Sequence, residues 1–206
     1  MTSIVTGDII NSRDVSNTLW LPLLKEVFNR IGSSPKTWEI YRGDSFQLEI
    51  SDASTTLLEV MKIKAAVKTI KDLDVRMAIG IGSKDFDSNR ITESSGQAFI
   101  NSGYGFDNFL KKQTLAIKST WEALDQEMNI SLSLGLLVMD HWTQNSAELV
   151  NHTLKMEPNQ TQKELAHLLG ISQSSASERR KRAGIDELLK LEKRYRKLVL
   201  SYINQS

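Results

Sequence analysis

The chain has 206 residues, no cysteine and a formal net charge of +1. Disulfides, thiolate metal sites and cysteine nucleophiles are therefore excluded. With 40% hydrophobic and 25% charged residues the composition is that of an ordinary globular chain. No apolar run approaches the ~18 residues of a membrane span, and the start lacks the basic-then-apolar pattern of a secretory signal, so a cytoplasmic protein is expected. The near-neutral total hides an asymmetry. Residues 161–206 carry 10 basic and 5 acidic side chains, a net of +5, and residues 1–160 carry a net of −4. A split of this kind points to a basic module attached to a mildly acidic one.

The β-branched run Ser3–Ile10, closed by Asn11-Ser12, reads as a buried strand ending in a turn. Residues 18–31 read as a helix, with Leu19, Leu23, Val27 and Ile31 as its apolar stripe and Trp20, Leu24 and Phe28 beside it. Residues 38–40 and 46–50 alternate apolar and polar around Arg42-Gly43-Asp44-Ser45, the pattern of a β-hairpin. A helix is predicted over 55–73 with Leu57, Met61, Ala65 and Ile70 inward, then a strand over 75–81. A further helix is predicted over 98–110, with Phe99, Gly103, Phe106 and Leu110 on one face, and a short strand over 114–117. A hairpin set among βα units predicts an α+β fold of ferredoxin-like type, with an antiparallel or mixed sheet. From Trp121 onward the chain reads as helix, punctuated at Glu157-Pro-Asn-Gln160. The expected organisation is an α+β domain over 1–120, connecting helices over 121–141 and an all-α domain over 142–206.

The most informative stretch is Thr161–Arg182. Thr161 and Glu164 have capping-box spacing, Leu165, Leu168 and Leu169 form a stripe, and Gly170 suits a left-handed helix end. Ile171 would plug the core, and Ser172 would cap a second helix. This is a helix-turn-helix plan, with Trp142–Val150 as its supporting helix. The pattern Gln162, Glu164, Leu165, Ala166, Leu169, Gly170, Ile171, Ser172 resembles the helix-turn-helix of sigma-factor region 4 and of response-regulator output domains. That resemblance implies double-stranded DNA as partner. Gln173, Ser174, Ser175 and Ser177 would lie near base edges, and Arg179, Arg180, Lys181 and Arg182 would mainly meet phosphates. Arg180 stands where related sequences carry an apolar residue, so Ala176 and Ala183 are expected to hold more of the packing. A helical hairpin that packs on a protein partner is the alternative. Residues 185–203 form an amphipathic helix, read first as packing and second as a homodimer contact.

Two aspartates carry the N-terminal reading. Asp8 ends an apolar strand core and Asp44 sits at the hairpin tip. Carboxylates on neighbouring strands about 4.8 Å apart can share a divalent cation such as Mg²⁺ or Mn²⁺ and so hold a nucleotide's phosphates. Both positions equally suit plain turn roles, with the carboxylate accepting from backbone N–H groups. Gly7-Asp8-Ile9 with Arg42-Gly43-Asp44-Ser45-Phe46 resembles the metal-binding strand and Gly-Asp hairpin of class III nucleotide cyclases and of diguanylate (GGDEF) cyclases. Asp74–Ser83 and Ser95–Asn101 resemble the strand and helix start that follow there. The whole chain is similar to bacterial SatD-like proteins.

The resemblance implies Asp8 and Asp44 as metal ligands, and Arg13, Gly43 and Lys84 are placed to meet a nucleotide ligand. Departures are visible too. Ser45 replaces the second acidic residue of the GGDEF pattern, and no Arg occurs from Ile91 to Phe109, where cyclases place a phosphate contact. The leading expectation is a DNA-binding regulator whose cyclase-like domain senses a nucleotide, metal or partner without catalysis. A Mg²⁺-dependent nucleotidyl cyclase with a regulatory tail, and a protein-interaction module, are the alternatives. His141, His152 and His167 show no zinc spacing and are read as ordinary.

Overall fold

The first strand, β1 (Thr2–Ile10), is buried along most of its length, and its period-2 alternation sorts two cores onto the two faces of one sheet. The structure is a computed structural model and describes residues 1–155 and 161–205. After β1 come helix α1 (Asn17–Asn29), strands β2 (Trp38–Tyr41) and β3 (Ser45–Ile50), helix α2 (Thr56–Val67) and strand β4 (Asp74–Gly82). The sheet order is β2-β3-β1-β4-β5, where β5 (Leu115–Lys118) adds alongside β4. All pairings are antiparallel except β4 with β5, so the sheet is mixed. The path through β4 is β-α-β-β-α-β, the split βαβ arrangement expected from the hairpin among βα units.

Val5 and Ile9 of β1 join Val75, Met77, Ile79 and Ile81 of β4 in the main core, under Trp20, Leu24, Val27 and Phe28 of α1 and Leu57, Val60 and Met61 of α2. The α1 stripe is thus rotated from the expected one. Leu19 is 61% exposed and Trp20 takes the inward position, because a heptad-like count does not say which edge of a broad apolar face meets the sheet. The helix expected over 55–73 ends at Val67, and a turn leads to Leu73.

Helix α3 (Gln97–Asn108) covers the opposite face. It touches the sheet through Ala98, Asn101, Ser102 and Gly105; of the larger side chains expected inward, Leu110, just past the helix, is buried against Ala78 and Ala116. Phe99 and Phe106 are only partly buried. The reason is proximity. A Cβ on Gly80 would lie 2.2 Å from both the Ala98 carbonyl oxygen and the Ser102 amide, so helix and strand meet backbone to backbone. Small residues are the only ones that fit between them.

Helices α4 (Glu122–Met139), α5 (Gln144–Thr153), α6 (Gln162–Leu168), α7 (Gln173–Ala183) and α8 (Ile185–Asn204) follow. The punctuation expected at Glu157–Gln160 lies outside the described residues. The main core does not stop at residue 120. Leu124, Met128, Leu132 and Leu136 of α4, Ala147 and Val150 of α5, and Ile185, Leu188, Tyr195 and Val199 of α8 belong to the same cluster as the sheet. Tyr195 is buried, and its hydroxyl donates to the Ala53 carbonyl at 2.8 Å, which docks α8 against the β3–α2 junction. Helix α8 is therefore a packing helix, and Leu200 is its one large exposed apolar residue among those described. Helices α7 and α8 are separated only by Gly184 at φ 58, where a Cβ would meet Val138 Cγ1 at 2.9 Å.

A buried cation ties these parts together. Lys64 of α2 has a side chain 1% exposed, with Asp74 at 2.7 Å and Asp140 at 2.8 Å. It also donates to Thr114 Oγ1 at 3.1 Å, so all three ammonium protons are used. Lys68 bonds the other Asp74 oxygen at 2.9 Å and the Asp140 carbonyl at 2.9 Å. Replacing Lys64 by Met leaves two carboxylates facing each other without their shared cation. Loss of one partner of a buried pair costs about 3–5 kcal/mol, and partial exposure of Asp140 lowers the expected loss to about 2–4 kcal/mol. Urea denaturation will read this loss, and Asp140→Asn in the same chain should restore part of it.

Candidate functional site

Strand register brings the two aspartates together. Asp8 of β1 lies opposite Ser45 of β3 on one side and Arg76 of β4 on the other. The hairpin tip Arg42-Gly43-Asp44 precedes Ser45, with Arg42 at φ 52 and Gly43 at φ 91, and the Asp44 carbonyl accepts from the Ile9 amide at 3.3 Å. Asp8 and Asp44 line one open cleft of about 480 Å³ together with Ser12, Arg13 and Arg76. Gly43 and Arg13 line the adjoining cleft of about 460 Å³ with Asp44 and Trp20. Four of the five N-terminal candidates thus gather at one end of the sheet.

Lys84 does not join them. Thr2 pairs with Gly82 while Asp8 pairs with Arg76, so Lys84 stands at the opposite sheet end, about 20 Å away at 3.3 Å per residue. There it bonds Glu49 at 2.7 Å and Asp87 at 2.5 Å. Its place just beyond the strand suggested a phosphate contact; the antiparallel direction of β4 sends it away from the aspartates.

The residue missed by sequence reasoning is Arg76. Its guanidinium donates Nε to one Asp8 oxygen at 2.9 Å and Nη2 to the other at 2.5 Å, a bidentate pair. Its Cζ also sits 5.5 Å from the centre of the Phe106 ring on α3. The bond to Asp8 raises the Arg76 pKa above the ordinary guanidinium value, and the charges of Asp8 and Asp44 add to it. The signal was present in the sequence. An arginine inside an otherwise apolar strand, in phase with the face of Asp8, asks for an acidic partner. Asp44 is engaged as well, its Oδ2 accepting from Ser12 Oγ at 2.5 Å. Burial raises the pKa of neighbouring Tyr41, with Arg42 opposing and Asp8 adding.

A Mg²⁺ or Mn²⁺ would need oxygens that Arg76 now covers. No grouping of three His, Cys, Asp or Glu suited to a metal occurs among the described residues. As arranged, Asp8 forms an internal ion pair with Arg76 and Asp44 anchors the hairpin through Ser12. Arg76→Gln should uncover Asp8. Mn²⁺ titrated calorimetrically is expected to give no heat of binding with the native chain and measurable binding with the variant, and Asp8→Asn added to Arg76→Gln should abolish it.

The C-terminal helices form a second arrangement. Thr161 caps α6 through a full capping box: its hydroxyl accepts from the Glu164 amide while the Glu164 carboxylate accepts from the Thr161 amide at 2.7 Å. Those bonds hold the Glu164 pKa below the usual carboxylate value. Gly170 turns left-handed at φ 62, and the Ile171 amide bonds the Ala166 carbonyl at 3.0 Å, closing α6. Ser172 caps α7 by accepting from the Ser175 amide. Leu149 of α5, Leu165 and Ala166 of α6 and Ala176 of α7 form a separate small core, with Leu169 and Ile171 packed against it. Three helices therefore close on one another.

Helix α7 turns Ala176 and Ala183 fully inward. Gln173, Ser174, Glu178, Lys181 and Arg182 are exposed; Ser175, Ser177, Arg179 and Arg180 are half-buried. Arg180 pairs with Asp186 of α8 at 2.5 Å, and Arg179 lies 3.8 Å from Glu148 of α5. An arginine thus occupies a position where an apolar side chain was expected by finding a carboxylate on the following helix. Neither Lys181 nor Arg182 has an ion pair or side-chain hydrogen bond among the described residues. No helix among the described residues is long and apolar enough to cross a membrane.

Comparison with curated proteins and with solved structures gives no match. The model of the SatD family matches residues 3–199, and the chain belongs to that family.

Proposed function

We propose that this protein is a cytoplasmic DNA-binding regulator in which the α5–α6–α7 unit meets double-stranded DNA through α7. The observation that carries the reading is the outward face of α7. It is capped at its start and exposed along its length, with Gln173 and Ser174 at one end and, at the other, Lys181 and Arg182, whose side chains have no ion pair among the described residues. Over the eight residues from Gln173 to Lys181 the helix advances about 12 Å, enough to set base-edge contacts at one end and phosphate contacts at the other. Arg179 and Arg180 hold the unit together in this reading, and the phosphate role falls to Lys181 and Arg182. Glu178 stands between Ser174 and Lys181 on the exposed face; a carboxylate there accepts from a cytosine amino group and disfavours other bases.

The sheet domain is the sensing body in this proposal. Its aspartates are held by Arg76 and Ser12 in an arrangement that serves shape rather than turnover. The cyclase reading keeps one observation in its favour, the convergence of Asp8 and Asp44 on one cleft. It requires Arg76 to leave Asp8 before a metal or nucleotide phosphates can approach.

Fluorescence anisotropy on duplex DNA tests the proposal. Binding is expected to weaken steeply with salt, because phosphate contacts release counterions. Lys181→Ala and Arg182→Ala should each lower the salt slope by about 1 and weaken binding on all sequences, whereas Gln173→Ala should change sequence preference more than slope. Folded protein that binds no duplex at low salt rejects the reading.

A further inference from the structure

A larger cleft, of about 930 Å³, opens on the other side of the sheet domain, between the end of α1, the end of β3, α2 and the last turn of α5. Its size is within the ~300–1,000 Å³ of small-molecule sites. Arg30, Lys36, Lys62, Lys84 and Lys155 all line it, beside the carboxylates of Glu49, Asp52, Glu59 and Asp87, which leaves the basic side chains in excess by one. They are not equivalent. Lys36 and Lys84 share Asp87, and Lys84 also holds Glu49. Among the described residues Arg30 and Lys62 pair with neighbours along their own segments, Glu26 four back and Glu59 three back. Such intrahelical pairs are weak, about 0.2–0.5 kcal/mol, and easily exchanged. The Lys155 side chain has no ion pair or hydrogen bond among the described residues.

Lys155 senses Arg30 and Lys62. Burial lowers the Lys155 pKa, and the charges of Arg30 and then Lys62 lower it further, with Glu26 opposing. Three cations, one at the end of α1, one on α2 and one just after α5, face a common space and repel each other, and a multivalent anion placed among them removes that repulsion. Val27, Ile31, Ile50 and Leu154 give the same cleft an apolar wall. An inorganic anion would leave that wall uncovered; a carbon skeleton attached to the anion would cover it.

We infer that this cleft binds a small phosphorylated organic molecule, its phosphate held by Arg30, Lys62 and Lys155 and its carbon skeleton laid on Val27, Ile31, Ile50 and Leu154. The site shares no residue with the Asp8–Asp44 cleft. Lys155 directly follows the last turn of α5, the supporting helix of the α5–α6–α7 unit, so an occupant joins α1 and α2 to that helix. For the regulator reading, on which this consequence alone rests, the occupant stands in the position of an effector.

The full chain titrated with inorganic pyrophosphate, against sodium chloride at equal ionic strength, tests the site without DNA. Broadening of the phosphorus resonance and a rise in Tm are expected with the native chain. Arg30→Gln and Lys155→Gln should each weaken the apparent affinity about tenfold, a loss on the scale of one charge-assisted contact. Lys181→Gln, on the bare face of α7, should leave it unchanged. Hydrogen exchange in residues 144–155 should slow on binding. Absence of binding to the native chain, equal affinity in Arg30→Gln and Lys155→Gln, or loss of binding in Lys181→Gln instead overturns the inference. All the variants alter exposed or half-exposed side chains, and circular dichroism checks that each is folded. Because no arm uses DNA, failure here and failure of DNA binding are separate results.

Discussion

The ammonium of Lys64 is the point on which the architecture turns. It sits in the main core, yet it is fully served by Asp74, Asp140 and Thr114. Those partners come from the start of β4, the residue that ends α4, and the approach to β5. Asp140 is an acidic residue at the C-terminal end of a helix, where the macrodipole disfavours negative charge. Lys64 and Lys68 supply the compensation. Isolated pairs of this kind contribute little net stability, because desolvation offsets attraction. Their contribution is geometric. A charge triad with directional hydrogen bonds accepts one arrangement of α2, β4 and α4, whereas apolar side chains alone would accept several.

That constraint explains why the two halves do not behave as beads on a string. The α4 helix begins beside β5, where Asp125 accepts from Lys118 and from the Ser119 amide and hydroxyl, and it ends at the Lys64 triad. Trp142 then donates its indole N–H to the Ala183 carbonyl at 2.9 Å, and Gln144 bonds the Thr69 carbonyl. The basic segment is thus held at its entry, at the end of α7 and along α8. The charge asymmetry seen along the chain is real, but it divides a surface and not two independently folding bodies.

Much of the fold was legible. Apolar β-branched runs marked β1 and β4, period-2 alternation marked β2 and β3, and the capping box, Gly170 and Ser172 marked α6 and α7 to within a residue or two, because each rests on local chemistry. What was not legible is long-range phase. At α1 the stripe through Leu19 and Leu23 was offset from the buried Trp20 and Leu24, and at α3 aromatic size suggested burial of Phe99 and Phe106 where the sheet demanded small residues, though Leu110 is buried as expected. The candidate cleft was half legible. Asp8, Arg13, Gly43 and Asp44 follow from the hairpin, but Arg76 and Lys84 are sorted only by strand direction and register, which no single segment encodes. Lys155 escaped for the same reason, since nothing in its own segment shows that α1 and α2 bring two cations beside it.

Gly184 and Tyr195 together have a mechanical consequence. The first is a one-residue elbow between α7 and α8, closed against Val138; the second bolts α8 to the Ala53 carbonyl. The ten residues between them are continuous helix, a rod of about 15 Å. With no loop between them, α7 and α8 are fixed end to end, and α8 meets the segment joining β3 to α2. That segment contains Asp52 and Thr55, which form one rim of the cationic cleft. The bare face of α7 and the edge of a cavity are thus the two ends of one continuous path of packed helix, which bends at a single glycine.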